Sequence, residues 1–374
     1  MVSLARATLV HEWRRYLAAV LAITFAGLLI VVQLALLLGL FGSVAAVVDK
    51  SGAELWIGFR NTQSVDLGRP LGRGSDALAW SHPGAGRIEA YTTAYGDLRR
   101  PDGVPVSVLL HAMDVSGAGL AFSRLLTPAE RALMREPNAI IIDAADMRKL
   151  GAQVGTAVEI NGRRARIAGV VDGIRSVGGV NVLASFATAR YLAPETAEQA
   201  AFYLVRLKPG FDAHKVAADI SDKARFPRYS VWTADALSTQ SQAYWLLESG
   251  SGIGTGFASL LALVVGMVIT SQTLSGAILA SVKEFAALRA LGVPHKSLRA
   301  IVVEQSLWVG VAGLFATGIF TLLIAWLGDA LRIAMLFPAW MLAGAGGLLL
   351  AIAIVSGLLA LRPLGRAEPA SLLR

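Results

Sequence analysis

The stretch Lys283-Glu284-Phe285-Ala286-Ala287-Leu288-Arg289-Ala290-Leu291-Gly292-Val293-Pro294 lies between two long apolar runs and decides how the chain is read. Phe285, Leu288 and Leu291 recur at helical spacing, so Lys283 to Leu291 is predicted as a short amphipathic helix. Gly292 stands where a helix C-cap needs positive φ, and Pro294 stops any continuation. A short helix wedged between two apolar runs is poorly placed to be a core element. It is well placed to be pushed or pulled by another protein.

Outward from that segment the chain is strongly apolar. Of its 374 residues 55% are hydrophobic and only 16% charged, with a mean hydropathy of +0.58. Soluble domains carry about 25% charged residues. Four runs concentrate the deficit: 17–48, 251–282, 300–327 and 339–361. Each reaches the roughly 20 residues that cross a bilayer. The first run is far longer than the apolar core of a signal peptide, and no small-residue cleavage site closes it, so it is expected to be an uncleaved anchor.

Orientation follows from the short flanks. Arg6, Arg14 and Arg15 precede the first run; Lys283, Arg289, Lys296 and Arg299 lie between the second and third; Arg362, Arg366 and Arg374 follow the fourth. The positive-inside bias places the N-terminal segment 1–16, the loop 283–299 and the tail 362–374 in the cytoplasm. Residues 49–250 and the short link 328–338 then lie on the outer side. The net charge of +8 is accounted for by such membrane flanks, and no basic stripe with interleaved aromatics points to nucleic acid.

The segment 49–250 is long enough for one or two compact lobes. Strands are predicted over 54–59, 88–98, 104–114, 139–143, 157–160, 165–171, 182–185 and 202–207, and helices over 128–135, 144–150 and 213–223. Asn161-Gly162 between two alternating runs is the chemistry of a tight hairpin turn. The fold expected is four transmembrane helices in a 1 + 3 arrangement with a large α+β domain inserted between the first and second. Gly68 to Gly86 reads as a loop, and Gly250, Gly252, Gly254 and Gly256 as a loosened or closely packed entry to the second span.

No catalytic pattern stands out. The sequence has no G-x-x-x-x-G-K-[ST] phosphate loop, no H-E-x-x-H, no G-x-S-x-G and no cysteine, and its five histidines are scattered. Asp143 and Asp146 read as partners of a helix start. Within the spans, Gln33, Gln272, Glu304 and Gln305 are candidate intramembrane polar sites. Interhelical hydrogen bonding is expected for the glutamines, and pairing with Lys283, Arg299 or a partner for Glu304.

The order of one span, a large outer domain and three spans resembles the FtsX/MacB-like permeases of ABC transporters. The likeness is carried by K-E-F-A-A-L-R-A-L-G-V-P-H-K-S-L at 283–298, by I-V-V-E-Q-S-L at 301–307 and by the tail R-P-L-G-R-A-E-P-A-S-L-L-R at 362–374. Within that family the chain looks most like the DevC subgroup, through N-G-R-R-A-R-I-A-G-V at 161–170, L-K-P-G at 207–210, Y-W at 244–245 and V-G-M-V-I-T-S-Q-T-L at 265–274.

This resemblance implies a non-catalytic permease in the bacterial inner membrane, present as a homodimer. ATP and Mg are implied to bind to a separate ABC ATPase subunit, with no cofactor in this chain. The implied role is that of a mechanotransmitter that extrudes a hydrophobic or amphipathic substrate (glycolipid, drug or peptide) from the periplasmic side, through a membrane fusion protein and an outer-membrane channel. A lipoprotein-release permease and an FtsX-like scaffold controlling a cell-wall hydrolase remain the alternatives. Carried onto this sequence, the ATPase-coupling surface comprises Lys283, Glu284, Phe285, Ala287, Leu288, Arg289, Leu291 and Gly292. Phe285, Leu288 and Leu291 are its apolar anchors, and Lys283, Glu284 and Arg289 its polar rim.

Overall fold

The computed structural model describes residue 11 and residues 13–360, apart from 73, 175–178, 195–198, 224–227, 281–286, 288–290, 292, 331, 332 and 334. It divides into two compact units, residues 40–252 and residues 1–39 with 253–374. Helix α1 (Trp13–Gly42) leads from the second of these into the first.

Nine strands build the unit formed by residues 40–252: β1 (Leu55–Phe59), β2 (Ala85–Arg99), β3 (Pro105–Met113), β4 (Ala139–Asp143), β5 (Ala157–Ile160), β6 (Arg163–Val171), β7 (Val180–Ser185), β8 (Phe202–Leu207) and β9 (Tyr229–Thr233). They hydrogen-bond in the order β3-β7-β4-β6-β5-β2-β8-β1-β9, and β3 pairs in addition with β2. That last pairing closes β2, β3, β7, β4, β6 and β5 into a ring, while β8, β1 and β9 extend from β2 as an open sheet. The β3–β7 and β4–β6 pairs are parallel, and the others are antiparallel.

The 15-residue strand β2 belongs to both parts. Residues up to Tyr91 pair with β8 (Tyr91↔Phe202), and residues from Thr92 pair with β3 (Thr92↔Ala112). Alternation along β1 sends Leu55 and Ile57 to one face of the open sheet and Trp56 to the other. On the first face helix α2 (Ala213–Lys223) packs Val216 and Ile220 against Leu55, Ile57 and Val205. On the second, Trp56 meets Tyr91 and Phe202 edge to face at 5.6 and 5.7 Å, together with Leu237 of helix α3 (Ala234–Leu247). A separate apolar cluster that includes Leu98, Leu110, Ile140, Ile142, Ile160, Ile167 and Val182 draws on all six strands of the ring.

The Asn161-Gly162 turn is a hairpin with both residues at positive φ, +51° and +76°. Asn161 also accepts from Asp97 N–H at 2.9 Å and donates to Leu192 O at 3.2 Å. Gly96 makes this possible, because a Cβ there would stand 2.8 Å from the Asn161 amide. The helix expected at 128–135 spans Pro128–Leu133 and starts with a capping box between Thr127 and Glu130.

Several elements differ from the sequence reading. Strand β9, helix α3 and the helix Phe186–Leu192 occupy segments that carry no expected element. Residues 68–86 are not a plain loop: Ala77–Trp80 is helical and β2 begins at Ala85. The glycines at 250–256 do not loosen the chain, since helix α4 (Gly250–Ala280) starts at the first of them. Gly252 allows a close approach, because a Cβ there would lie 1.9 Å from the Trp245 carbonyl oxygen, whereas one at Gly250, Gly254 or Gly256 would meet nothing within 4 Å.

The other unit contains α1 up to Gly39, most of α4, helix α5 (His295–Ala330) and helix α6 (Ala339–Ala360). These four helices are long and apolar enough to cross a membrane. Tyr16, Ala19 and Ile23 of α1 pack with Ala277, Val302, Val309 and Ala353, and Ala26 and Ile30 pack with Ala345 and Leu349. Small residues bring α1 and α5 together, as is usual where lipid offers no hydrophobic drive between helices. Thr24 Oγ1 reaches Gly313 O at 3.3 Å, and a Cβ on Gly313 would stand 2.6 Å from Ile23 Cγ2. Gly313→Leu is therefore expected to lower stability by about 1–3 kcal/mol through overpacking. Thermal unfolding of the detergent-solubilised chain would register this as a lower midpoint, and an unchanged midpoint would refute the tight α1–α5 contact.

Candidate functional site

The segment 283–292, expected from the sequence to contact an ATPase, lies between α4, which ends at Ala280, and α5, which begins at His295. Lys283, Glu284, Phe285, Leu288, Arg289 and Gly292 lie outside the described residues. Ala287 is helical and exposed, and its carbonyl accepts from Leu291 N–H at 3.1 Å. Leu291 then projects with 82% of its surface exposed, while Val293, two residues on, packs into the cluster of Tyr16, Ala277, Leu298 and Val302. Pro294 O caps α5 by accepting from Ser297 N–H at 3.0 Å. An exposed leucine is thus followed, two residues on, by a partly buried valine packed against the helices.

The intramembrane polar residues are not brought together as a set. Glu304 and Gln305 adjoin on α5, the first half-buried and engaged with a partner, the second buried. Gln305 Oε1 and Ser306 Oγ have no hydrogen-bond partner among the described residues. Gln33 is half-buried on α1 and Gln272 exposed on α4.

Within residues 40–252 a cavity of about 300 Å³ lies on one face of β2 and β3. Tyr91, Thr93 and Tyr95 of β2 share that face with Leu109 and His111 of β3, through the cross-strand pairs Thr93↔His111 and Tyr95↔Leu109. Asn181 enters from β7, opposite Leu109. Phe41, Val44 and Val47, from the segment that follows the first span, complete the wall with Trp245 of α3.

At the inner end of the wall, Tyr91 Oη and His111 Nδ1 are 2.5 Å apart, and both side chains are buried. Burial pushes the His111 pKa down to about 4, with Asn181 opposing it weakly, so the imidazole is neutral at pH 7. Burial also raises the Tyr91 hydroxyl well above its ordinary value, with Asp66 adding to the shift. A phenol that retains its proton donates to Nδ1, which leaves the imidazole hydrogen on Nε2. His111 Nε2 and Asn181 Oδ1 are both shielded from solvent, and the Asn181 amide nitrogen donates to Ile174 O.

A second polar cluster fixes the loop 114–121. Glu89 is 4% exposed and accepts from Asp114 N–H (3.2 Å), Ala121 N–H (3.4 Å) and Leu120 N–H. Burial raises its pKa although all three bonds lower it. Arg131, 2% exposed, donates to Asp114 O at 2.8 Å and to Ala121 O. Asp114 pairs with Arg87 at 2.5 Å. Burial pushes the Asp114 carboxyl up, but bonds from Ser116 and the Arg87 guanidinium hold it below its usual range. Asp143, adjacent to a helix start as expected, accepts from Ala145, Gly173 and Ile174 N–H at 2.8–2.9 Å and ties β4 to the end of β6. None of the cavity or loop residues carries a local motif, so their grouping appears only once the strands are paired.

Two family models match the chain. The MacB-like periplasmic core domain covers residues 17–223 and the FtsX-like permease C-terminal region covers residues 256–369. Among solved structures, the periplasmic region of MacB from Actinobacillus actinomycetemcomitans is similar at 13% identity, over 51% of this chain and 94% of that one, with a TM-score of 0.35. The extracellular domain of the noncanonic ABC-type transporter YknZ from Gram-positive bacteria is similar at 13% identity, over 48% and 100%, with a TM-score of 0.35. A domain of a Porphyromonas gingivalis protein described as a permease is similar at 15% identity, over 49% and 91%, with a TM-score of 0.33. No curated protein matches.

Proposed function

This chain belongs to the FtsX-like and MacB-like family of ABC transporter permeases, and on that premise we propose that it acts as a mechanotransmitter for a partner ATPase. It is a multi-pass membrane protein and a transmembrane subunit of an ABC transporter. In the proposed mechanism the ATPase holds ATP and Mg and grips the segment 283–292. Closure of the ATPase displaces that segment, the helices on either side carry the displacement, and the domain between the first two spans responds by driving a hydrophobic or amphipathic substrate outward. A second copy of the chain completes the permease. A membrane fusion protein and an outer-membrane channel, as in DevC-type systems, receive the substrate. Both termini face the cytoplasm of a bacterial inner membrane.

The observation that supports this reading most directly is Leu291, a large apolar side chain 82% exposed between two membrane-length helices. Such a residue gains from being covered, and Leu288 lies one helical turn before it in sequence. Leu288→Asp is expected to weaken retention of the ATPase by about ten-fold or more. Co-purification with the native ATPase, together with substrate-stimulated ATP turnover, tests this. If both survive the substitution, the coupling assignment is wrong.

A further inference from the structure

We propose that one corner of the inserted domain, built from residues 59–69, Arg228 and the end of α3, is a docking surface for the anionic headgroup layer of the bilayer. The inference rests on membrane insertion of the long helices and not on the ATPase contact.

Chain length brings this corner to the membrane. The first span ends at Gly39 and the second begins at Gly252. Helix α1 runs on to Gly42, so Phe41 stands about 3 Å beyond the span at 1.5 Å per residue. Asp66 lines the same cavity as Phe41. The second tether converges on the same place. Asp66 accepts from Trp245 Nε1 at 3.1 Å, and Gln63 donates to Glu248 at 3.4 Å. Glu248 is joined to Gly252 by at most about 14 Å of chain. The headgroup region on each side of the hydrocarbon is roughly 5–7 Å deep. Both tethers thus hold residues 63–66 at or beside the headgroup layer.

The side chains of the corner suit that layer. Leu67 is 36% exposed and Leu247 69%, and Tyr244 and Trp245 supply the amphipathic rings usual at a membrane interface. Three exposed arginines adjoin. The Arg69 guanidinium lies 4.2 Å over the Phe59 ring, and Arg60 N–H donates to Arg228 O at 2.8 Å. Phe59 of β1 pairs with Tyr229 of β9, so all three belong to one corner of the open sheet. Asp66 and Glu248, the carboxylates beside it, are engaged by Trp245 and Gln63. Guanidinium groups match phosphate, and each basic residue near an anionic leaflet strengthens attraction about five-fold.

The chain has no cysteine, so a single introduced cysteine can carry a nitroxide label alone. Full-length Leu67→Cys and Ala236→Cys are labelled in nanodiscs of phosphatidylcholine, with or without added phosphatidylglycerol. Ala236 is exposed near the far end of α3, about 16 Å from Leu247. The ratio of oxygen to nickel-chelate collision rates should be at least about three-fold higher at position 67 than at position 236. Phosphatidylglycerol should raise the ratio at position 67 about two-fold further. Combined Arg60→Gln, Arg69→Gln and Arg228→Gln should remove that rise. Salt at about 0.5 M should remove it in the parent too, so the test does not rest on one variant. Equal ratios at the two positions, or a phosphatidylglycerol effect that is absent or survives both treatments, would overturn the proposal.

Discussion

Acidification from pH 7 to pH 4 is expected to destabilise the inserted domain, and His111 is expected to be the main cause. Burial lowers the pKa of this imidazole to about 4 in the folded chain, against an ordinary value of 6.5. The unfolded state therefore binds more protons than the folded state between those two values. Stability is complete above pH 6.5 and is lost as the pH falls toward 4. A difference of that size corresponds to about 3 kcal/mol. Glu89 works in the other direction. Burial raises its folded pKa above 4.5, so its ionisation costs stability as pH rises through that raised value, and acidification relieves the cost. The two effects separate in His111→Asn, which keeps an acceptor near the Tyr91 hydroxyl but does not titrate. Amide exchange of β3 in the full-length chain, corrected for intrinsic rates, reports the opening free energy at each pH. The parent should lose stability on acidification, whereas the variant should be flat or should gain slightly. Equal slopes in the two proteins would exclude His111 as the source.

The largest single-residue loss is expected from Arg131→Met, at about 3–5 kcal/mol. The guanidinium is buried and supplies the donors for two backbone carbonyls, Asp114 and Ala121, in one loop. Its removal strands both acceptors and deprives buried Glu89 of its nearby cation, which otherwise supports the Arg131 charge against burial. A methionine of similar length keeps the packing, so the loss isolates the polar contribution. Adding Glu89→Gln to Arg131→Met should cost less than the sum of the two single losses, because the second change removes a charge already left unpaired. Thermal unfolding of the four proteins in detergent gives the coupling. Simple additivity would mean that Glu89 and Arg131 act independently.

Much of the fold was legible in the sequence, and the reasons are local. The strands Ala139–Asp143, Ala157–Ile160 and Phe202–Leu207 are short alternating or apolar runs, and they form where expected. Asn161-Gly162 encodes its own turn, and the four membrane-length helices declare themselves by apolar length alone. Helix α3 was not legible because ADALSTQSQAY is rich in Ser, Thr and Gln, residues whose local preference is for turns. It is held by Thr233 capping Ala236 N–H at 3.3 Å and by burial of Leu237 and Ser241, which only the tertiary fold provides. Closure of the ring was likewise hidden, since the β2–β5 pairing that completes it involves only Leu98↔Ile160 and Arg99↔Glu159. Tyr91, His111 and Asn181 come from three strands, and no spacing rule joins them. Of the coupling surface expected from the sequence, only Ala287 and Leu291 fall among the described residues, and both are exposed.

The division of β2 between ring and open sheet also bears on how the chain leaves the ribosome. Thr92 to Arg99 finds β3 within a few residues, but the half that ends at Tyr91 pairs with β8, which begins at Phe202. Until β8 has been synthesised, that half is an unpaired edge able to recruit a strand from another nascent chain. Arg87 and Glu89 lie within it, so the charges that later pin the 114–121 loop guard the unfinished edge first.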